Sequence, residues 1–420
     1  MTSPQFSPLT AARPLVQSLP TGPDGPRVPL YSPEFAADPH RVYRSMRERF
    51  GSLAPVELAP GVPATLVIGY RAAVQILHDS DHFPSDSRIW EKTVPADSPV
   101  LPVMQWRPAA LQSIGAEHAR YRQAILAGTE NADLHAVRHT VEQVATSLID
   151  AFCQAGSAEL ISQYAFPLTF AVVNAILGCP PETGQHIAAG FAAMLDGTQA
   201  ETGNAMIIRA LSDLVTLKRA EPGDDITTRM LRHPVALEDV EAVEQLVLMY
   251  GAGIEPMQNL IGNTLVLILT DERFAGSVLG GSMLTRDALD EVLFTNPPLA
   301  NLCTRYPRQP ILIDNVWLPA HQPVVISMAA CNDDPSITDR NGYAGNRSHL
   351  AWGAGLHACP GRSIAYLVAQ EAIDQLLDVL PEIRLATAVE NLTWRPGPFH
   401  RSLSALPVVF PPSPVLNGGS

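Results

Sequence analysis

Between His349 and Arg362 the chain reads HLAWGAGLHACPGR, which sets Cys359 behind two closely spaced glycines and a histidine, ahead of an apolar run with helical spacing. A cysteine binds metal as its thiolate, and its pKa falls when a metal, a helix N-terminus or backbone amides face the sulfur. Gly353, Gly355 and Gly361 let amides approach closely, because a residue without Cβ adopts tight, left-handed conformations readily. Pro360 suits the first turn of the following helix, where its missing N–H is no loss. The stretch therefore reads as a loop that presents a thiolate to a metal-bearing cofactor. The other cysteines, Cys153, Cys179, Cys303 and Cys331, are scattered with no C-x-x-C pair. Neither a disulfide framework nor a zinc site is indicated, and a reducing cytoplasm fits.

The pattern W-G-x-G-x-H-x-C-x-G, carried by Trp352, Gly353, Gly355, His357, Cys359 and Gly361, resembles the haem-binding loop of the cytochromes P450, with Trp352 where phenylalanine is usual. The resemblance implies haem b, iron protoporphyrin IX, held by the axial thiolate of Cys359. Gly353, Gly355 and Ala358 also satisfy the G-x-G-x-x-A dinucleotide fingerprint, which needs a preceding strand and an acidic residue about 20 positions later at a strand end. That context is missing. Arg347-Ser348-His349 precede the loop, and Asp374 lies inside the helical pattern Ile364, Leu367, Val368, Glu371, Ala372.

A buried haem carries two propionates, for which cations or strong donors are the natural partners. His118 and Arg122 form H-x-x-x-R, one helical turn apart, and resemble the family's propionate-binding pair. Arg305, beyond Pro297-Pro298, and His357 complete the set that the resemblance implies.

From Leu246 to Thr270 the chain is strongly apolar, yet Glu255, Gln258, Asn259 and Asn263 interrupt it too often for a membrane span. Within it, Gly251-Ala252-Gly253-Ile254-Glu255-Pro256 resembles the A-G-x-[DE]-T oxygen-binding signature of the P450 distal helix, and Ala252, Gly253, Glu255 and Pro256 are the catalytic candidates. Pro256 stands where the family has a threonine that hydrogen-bonds iron-bound oxygen. A proline inside a helix lacks the N–H and crowds the carbonyl four residues back, so a kink and a freed Ala252 carbonyl are expected. Ala252, Glu255 and an ordered water would then handle protons.

At Glu291-Val292-Leu293-Phe294 a second departure occurs, because Phe294 replaces the arginine of the family's E-x-x-R. Glu291 would need another partner, and Arg347 or Arg340 is the candidate. Loss of this arginine, together with the endings WRPGPFHR (Trp394 to Arg401) and ALPVVFPP (Ala405 to Pro412), resembles a group of actinobacterial P450s from conservon-type operons that encode GTPase-like regulatory proteins. For substrate contacts, family position points to Ser85 to Trp106, Met249 to Met257 and Pro298 to Leu302. Trp90, Val103, Met104 and Trp106 would form an apolar, aromatic wall, joined by Met249 and Leu299.

Elements able to position these residues are visible in the periodicity. Leu134, Val137, Val141, Val144, Leu148 and Phe152 recur at three and four, one face of an amphipathic helix. Comparable patterns cover roughly 158–178, 185–197, 203–219, 238–270, 286–295 and 361–380. Strand-like runs are short: Ala64 to Tyr70, Ile311 to Ile313, Pro323 to Met328 and Ser404 to Phe410. The expected class is mainly α with small β-sheets, in an order that resembles the cytochrome P450 fold. The expected organisation is an irregular Pro-rich arm at 1–29, one haem domain at 30–410 and a disordered tail at 411–420.

No linker, charge block or repeat divides the 420 residues, and a 46% hydrophobic fraction is ample for one large core. A net charge of −14 argues against nucleic acid as a partner. The N-terminus lacks a basic region followed by an apolar core, so a cytoplasmic protein without a membrane span is expected. The resemblance implies a soluble haem-thiolate monooxygenase that oxidises a small or medium organic substrate, small-molecule or peptide-like, with electrons from ferredoxin and its reductase. Arg120 and Arg362 are candidates to dock an acidic ferredoxin. Two alternatives stand beside it: a P450-type oxidative coupling or cross-linking enzyme, and a non-catalytic haem-binding regulatory partner of a GTPase-like signalling complex.

Overall fold

A computed structural model of the chain describes residues 17–18, 27–195, 200–275, 284–337 and 346–416. Its spine is the helix Asp239–Thr270, 32 residues long, opened by a capping box in which Glu238 and Glu241 exchange hydrogen bonds. Every residue from Met257 to Leu265 is buried, so this helix is enclosed on all sides over that stretch. It packs against Phe166–Ile176, Ala200–Ala220, Thr285–Thr295 and Arg362–Val379, and the last of these rests in turn on Leu134–Asp150.

Beside the helices lies a five-stranded sheet ordered Val28–Pro29, Leu53–Ala59, Val62–Val67, Val324–Ser327 and Asn301–Arg305. Side chains alternate across it as strand geometry requires. Ala54, Val56, Leu58, Ala64, Leu66 and Val325 pack into one apolar cluster. Leu53, Val67, Val324 and Ile326 point the other way, into a second. On the edge strand the register shifts between Leu302 and Arg305, and Cys303 takes a left-handed backbone with φ 44°. Such a bulge re-aims the residues that follow it.

The strand expected at Ala64 to Tyr70 runs instead over Val62–Val67, because Gly69 caps the helix Tyr70–His78. Only Pro407–Val409 of the 404–410 run is extended, paired with Ser157–Glu159. The helical stretch expected from 158 starts later, as a π turn at Ile161–Ala165 that leads into Phe166–Ile176. Most of the expected arm at 1–29 lies outside the described residues. Within it, Gln17–Ser18 pairs with Val316–Leu318 and Val28–Pro29 with Leu53–Ala59. Residues 411–416 are held by two bonds, Ser413 N–H to the Cys153 carbonyl at 2.9 Å and Leu416 N–H to Asp150 Oδ1 at 2.7 Å. Among the described residues no helix is long and apolar enough to cross a membrane.

Candidate haem and substrate site

The loop with Cys359 is shaped by backbone constraints. Gly353 and Gly355 take left-handed φ values of 66° and 68°. A Cβ on Gly355 would lie 2.4 Å from the Leu77 carbonyl oxygen, so only glycine fits where the loop meets the helix Tyr70–His78. The Gly353 N–H donates to Leu350 O and the Cys359 N–H to Trp352 O, both at 2.8 Å. These bonds hold the cysteine at the head of the helix Arg362–Val379. Its accessible surface opens into an internal cavity of about 270 Å³ bounded on the other side by Ala252, Gly253, Pro256 and Met257. Surrounding protein raises the Cys359 thiol pKa, whereas the Gly361 N–H, Arg122 and Arg362 act to lower it.

Around the rim, basic groups converge from three elements. His118, on the helix Gly115–Thr129, and His357 in the loop stand with ring centroids 4.1 Å apart. Arg305, re-aimed by the bulge, is 2% exposed. His118 Nε2 and Arg305 Nη2 are buried without a partner among the described residues. Arg122 donates to the Ala358 carbonyl, one residue before the cysteine. Burial, followed by Arg305, His118 and Arg122, pushes the His357 pKa down to about 3. Burial, then Arg122 and Arg305, also lowers that of His118. Among the described residues, none of these four groups forms an ion pair with a carboxylate. A buried cluster of donors with no acid of its own is suited to an anionic ligand.

Met249 and Leu299 lie on the cavity wall with Ala252, Gly253 and Pro256. Four other expected wall residues do not. Trp90 packs on Tyr306 with centroids 5.6 Å apart, and Met104 joins the same sheet core. Trp106 is covered by the Arg88 guanidinium at 4.9 Å and donates its backbone N–H to Glu91, while Val103 is 45% exposed. The loop folds its apolar side chains down onto the sheet instead of across the cavity. The wall is completed by Ile125, Val173, Ile176, Leu177 and Ile226. The sequence marks these only as helix faces; tertiary packing unites them.

The helix continues unbroken through Pro256. Glu255 points elsewhere: its carboxylate pairs with Arg395 at 3.0 Å, both half-exposed, and it is not part of the cavity wall. Glu255, expected among the catalytic residues, is thus placed off the cavity wall, since consecutive residues of a helix point in different directions. Glu291 pairs with Arg273 at 2.6 Å, not with Arg347, which lies 3.6 Å from Asp290. Arg340 is outside the described residues. Phe294 is buried and meets His349 edge-on, centroids 5.1 Å apart at 79°. Arg120 is engaged with Glu241 and lies over Tyr121, whereas Arg362 is exposed.

No protein-family model matches the chain. It is 28% identical over 405 residues to cytochrome P450 107B1 of Saccharopolyspora erythraea, covering 91% of this chain and 98% of that protein. With the cytochrome P450 monooxygenase PikC of Streptomyces venezuelae it shares 28% identity over 392 residues, 89% of this chain and 92% of the relative. The solved structure of CYP154A1 from Streptomyces coelicolor A3(2) superposes with a TM-score of 0.77 at 26% identity, covering 89% of this chain and 98% of that one. A long central helix facing a cysteine loop across an internal cavity defines a P450 fold. The chain has the fold of the cytochromes P450 and is similar over about nine-tenths of its length to curated P450 monooxygenases.

Cytochromes P450 bind haem through a cysteine thiolate. The residues here fit that group: a sulfur open to an apolar cavity, and two orphaned buried donors, His118 Nε2 and Arg305 Nη2, at its rim.

Proposed function

We propose that the chain is a haem-thiolate monooxygenase that hydroxylates an apolar organic molecule of small or medium size in the cytoplasm. In this reading Cys359 ligates the iron of haem b, Arg122 and Arg305 neutralise its propionates, and His118 and His357 donate hydrogen bonds to them. The observation that carries it is the pairing of the cavity-facing Cys359 sulfur with an acid-free cluster of basic groups. When bound, the haem supplies oxygen activation, with the thiolate favouring O–O cleavage. The protein's own contribution is positional. The Gly361 N–H, Arg122 and Arg362 favour the charged sulfur. Ala252 and Gly253 keep the facing wall low, because neither carries a side chain beyond Cβ. The lining is mostly aliphatic, which excludes water and suits an apolar substrate.

Electrons are assigned to a ferredoxin and its reductase. Arg362, exposed on the first turn of the helix behind the sulfur, and Leu356, exposed in the loop, offer a cation and an apolar contact to an acidic partner. The relatives support the reaction type; one of them is the 6-deoxyerythronolide B hydroxylase of Saccharopolyspora erythraea, 26% identical over 404 residues. Five unpaired cysteines suit a reducing compartment.

The test is a carbon-monoxide difference spectrum of the reduced protein. Wild type is expected to give the thiolate-type Soret band and Cys359→Ser to lose it. An unaltered band in the variant, or a colourless wild type expressed with abundant δ-aminolaevulinate, ends this reading. Product analysis with a surrogate ferredoxin system then asks whether oxygen enters the substrate.

A further inference from the structure

Pro256 has no N–H to give. In the continuous helix Asp239–Thr270 the carbonyl of Ala252, four residues earlier, therefore lacks its helical donor. Ala252 is exposed, and its exposure faces the cavity. None of the side-chain, turn or cap hydrogen bonds recorded among the described residues ends on that carbonyl. Nearby on the wall stand Leu248, Met249, Gly253, Met257, Leu260 and Leu299, whose side chains offer no donor. The result is an acceptor short of its regular helical donor, set into an apolar surface. Buried acceptors of this kind are normally satisfied, by protein, ordered water or ligand.

We propose that the Ala252 carbonyl reads the substrate: the enzyme selects apolar molecules that carry one O–H or N–H donor, and Pro256 determines that selectivity by leaving the carbonyl free. This rests on the haem-thiolate reading and adds the substrate class to it. A site that accepts a hydrogen bond from its ligand discriminates against an analogue without the donor, because the acceptor is then left desolvated and unpaired. A methyl ether is such an analogue of an alcohol. An ordered water on Ala252 would compete with this selection, and a ligand hydroxyl gains only by replacing that water's bond.

The test uses the haem-loaded protein and azole probes, which bind the iron through nitrogen whatever else they touch. The probes are the 2-, 3- and 4-hydroxyphenyl imidazoles and their methyl ethers, titrated by the shift of the Soret band in wild type and in Pro256→Ala. The variant restores an N–H to Ala252 and favours the helix. At least one hydroxyl isomer is expected to bind wild type about tenfold more tightly than its ether, a difference of about 1.4 kcal/mol. In Pro256→Ala the same ratio should fall below twofold. A wild type without hydroxyl preference in any isomer, or a preference that survives in Pro256→Ala, overturns the selection alone. A protein that takes up no haem, and so has no Soret band to shift, overturns the function and this inference together.

Discussion

Tyr366 Oη donates to Asp290 Oδ1 at 2.9 Å, tying the helix behind Cys359 to the helix that precedes Pro297-Pro298. The same carboxylate lies 3.6 Å from Arg347, just ahead of the cysteine loop, so Asp290 touches both flanks of that loop. The Tyr366 proton is shared with the Arg286 carbonyl at 3.0 Å, since a hydroxyl has only one to give. The acid that braces the loop is thus Asp290, while Glu291 turns to Arg273.

Asp290→Ala is expected to cost about 1.5–3 kcal/mol, the range for losing a hydrogen bond to a charged group, here the one from Tyr366. Glu291→Ala should cost under about 1 kcal/mol, because its partner is half-exposed and such pairs are weak. Urea unfolding of both variants checks this ranking. Equal losses, or a larger loss at Glu291, would show that Asp290 does not brace the loop.

Restoring the family's arginine should harm this chain. Phe294 is 2% exposed and packed against His349, so Phe294→Arg buries a guanidinium beside an acid already taken by Arg273. The expected loss is about 3–5 kcal/mol, as for an uncompensated buried charge. Phe294→Leu keeps the volume roughly and forfeits the ring pair, about 0.5–1.5 kcal/mol. Denaturation midpoints and haem retained after desalting decide the matter; an arginine variant as stable as wild type would refute the packing argument.

Acid sensitivity should be traceable to His349. Burial pushes its pKa down to about 4 from 6.5, and its Nδ1 accepts the Ala351 N–H at 3.3 Å, which requires that nitrogen unprotonated. Between these values the unfolded chain binds a proton that the folded one excludes. Stability is therefore full above pH 6.5 and falls as pH drops toward about 4. His349→Asn keeps an acceptor without a titrating ring, and its stability should decline less steeply across this window. A slope identical to wild type would exclude His349 as a source.

Gly355→Ala should be severe for a conservative change. The left-handed backbone alone costs about 1–2 kcal/mol with a Cβ. The contact with Leu77 O must then be relieved by moving backbone. The expected signature is lowered haem retention together with lowered thermal stability, whereas Gly361→Ala, at a φ of −91° that a Cβ tolerates, should leave thermal stability near wild type. Matching losses at both glycines would contradict the steric account.

Much of this was legible in the residues. The runs at 238–270, 286–295 and 361–380 correspond to Asp239–Thr270, Thr285–Thr295 and Arg362–Val379, since each joins an apolar period to clear stop signals. Cys359 declared itself because few chemistries need a cysteine among such glycines. The substrate wall did not, because an aromatic such as Trp90 has the same local pattern whether it faces a cavity or a sheet. The partner of Glu291 was equally hidden. Arg273 lies on a separate short helix, and no periodicity announces which arginine the chain returns to that acid.

The tight meeting of Gly355 with Leu77 also makes the sulfur answerable to two bodies at once. Leu77 belongs to an apolar cluster beneath the sheet, while the helix behind Cys359 is rooted in the large helical core. With no slack for even a methyl group at that seam, a shift of the sheet would be transmitted to the cysteine loop. Directed changes in that remote cluster are thus a route to repositioning the Cys359 sulfur without touching the cavity.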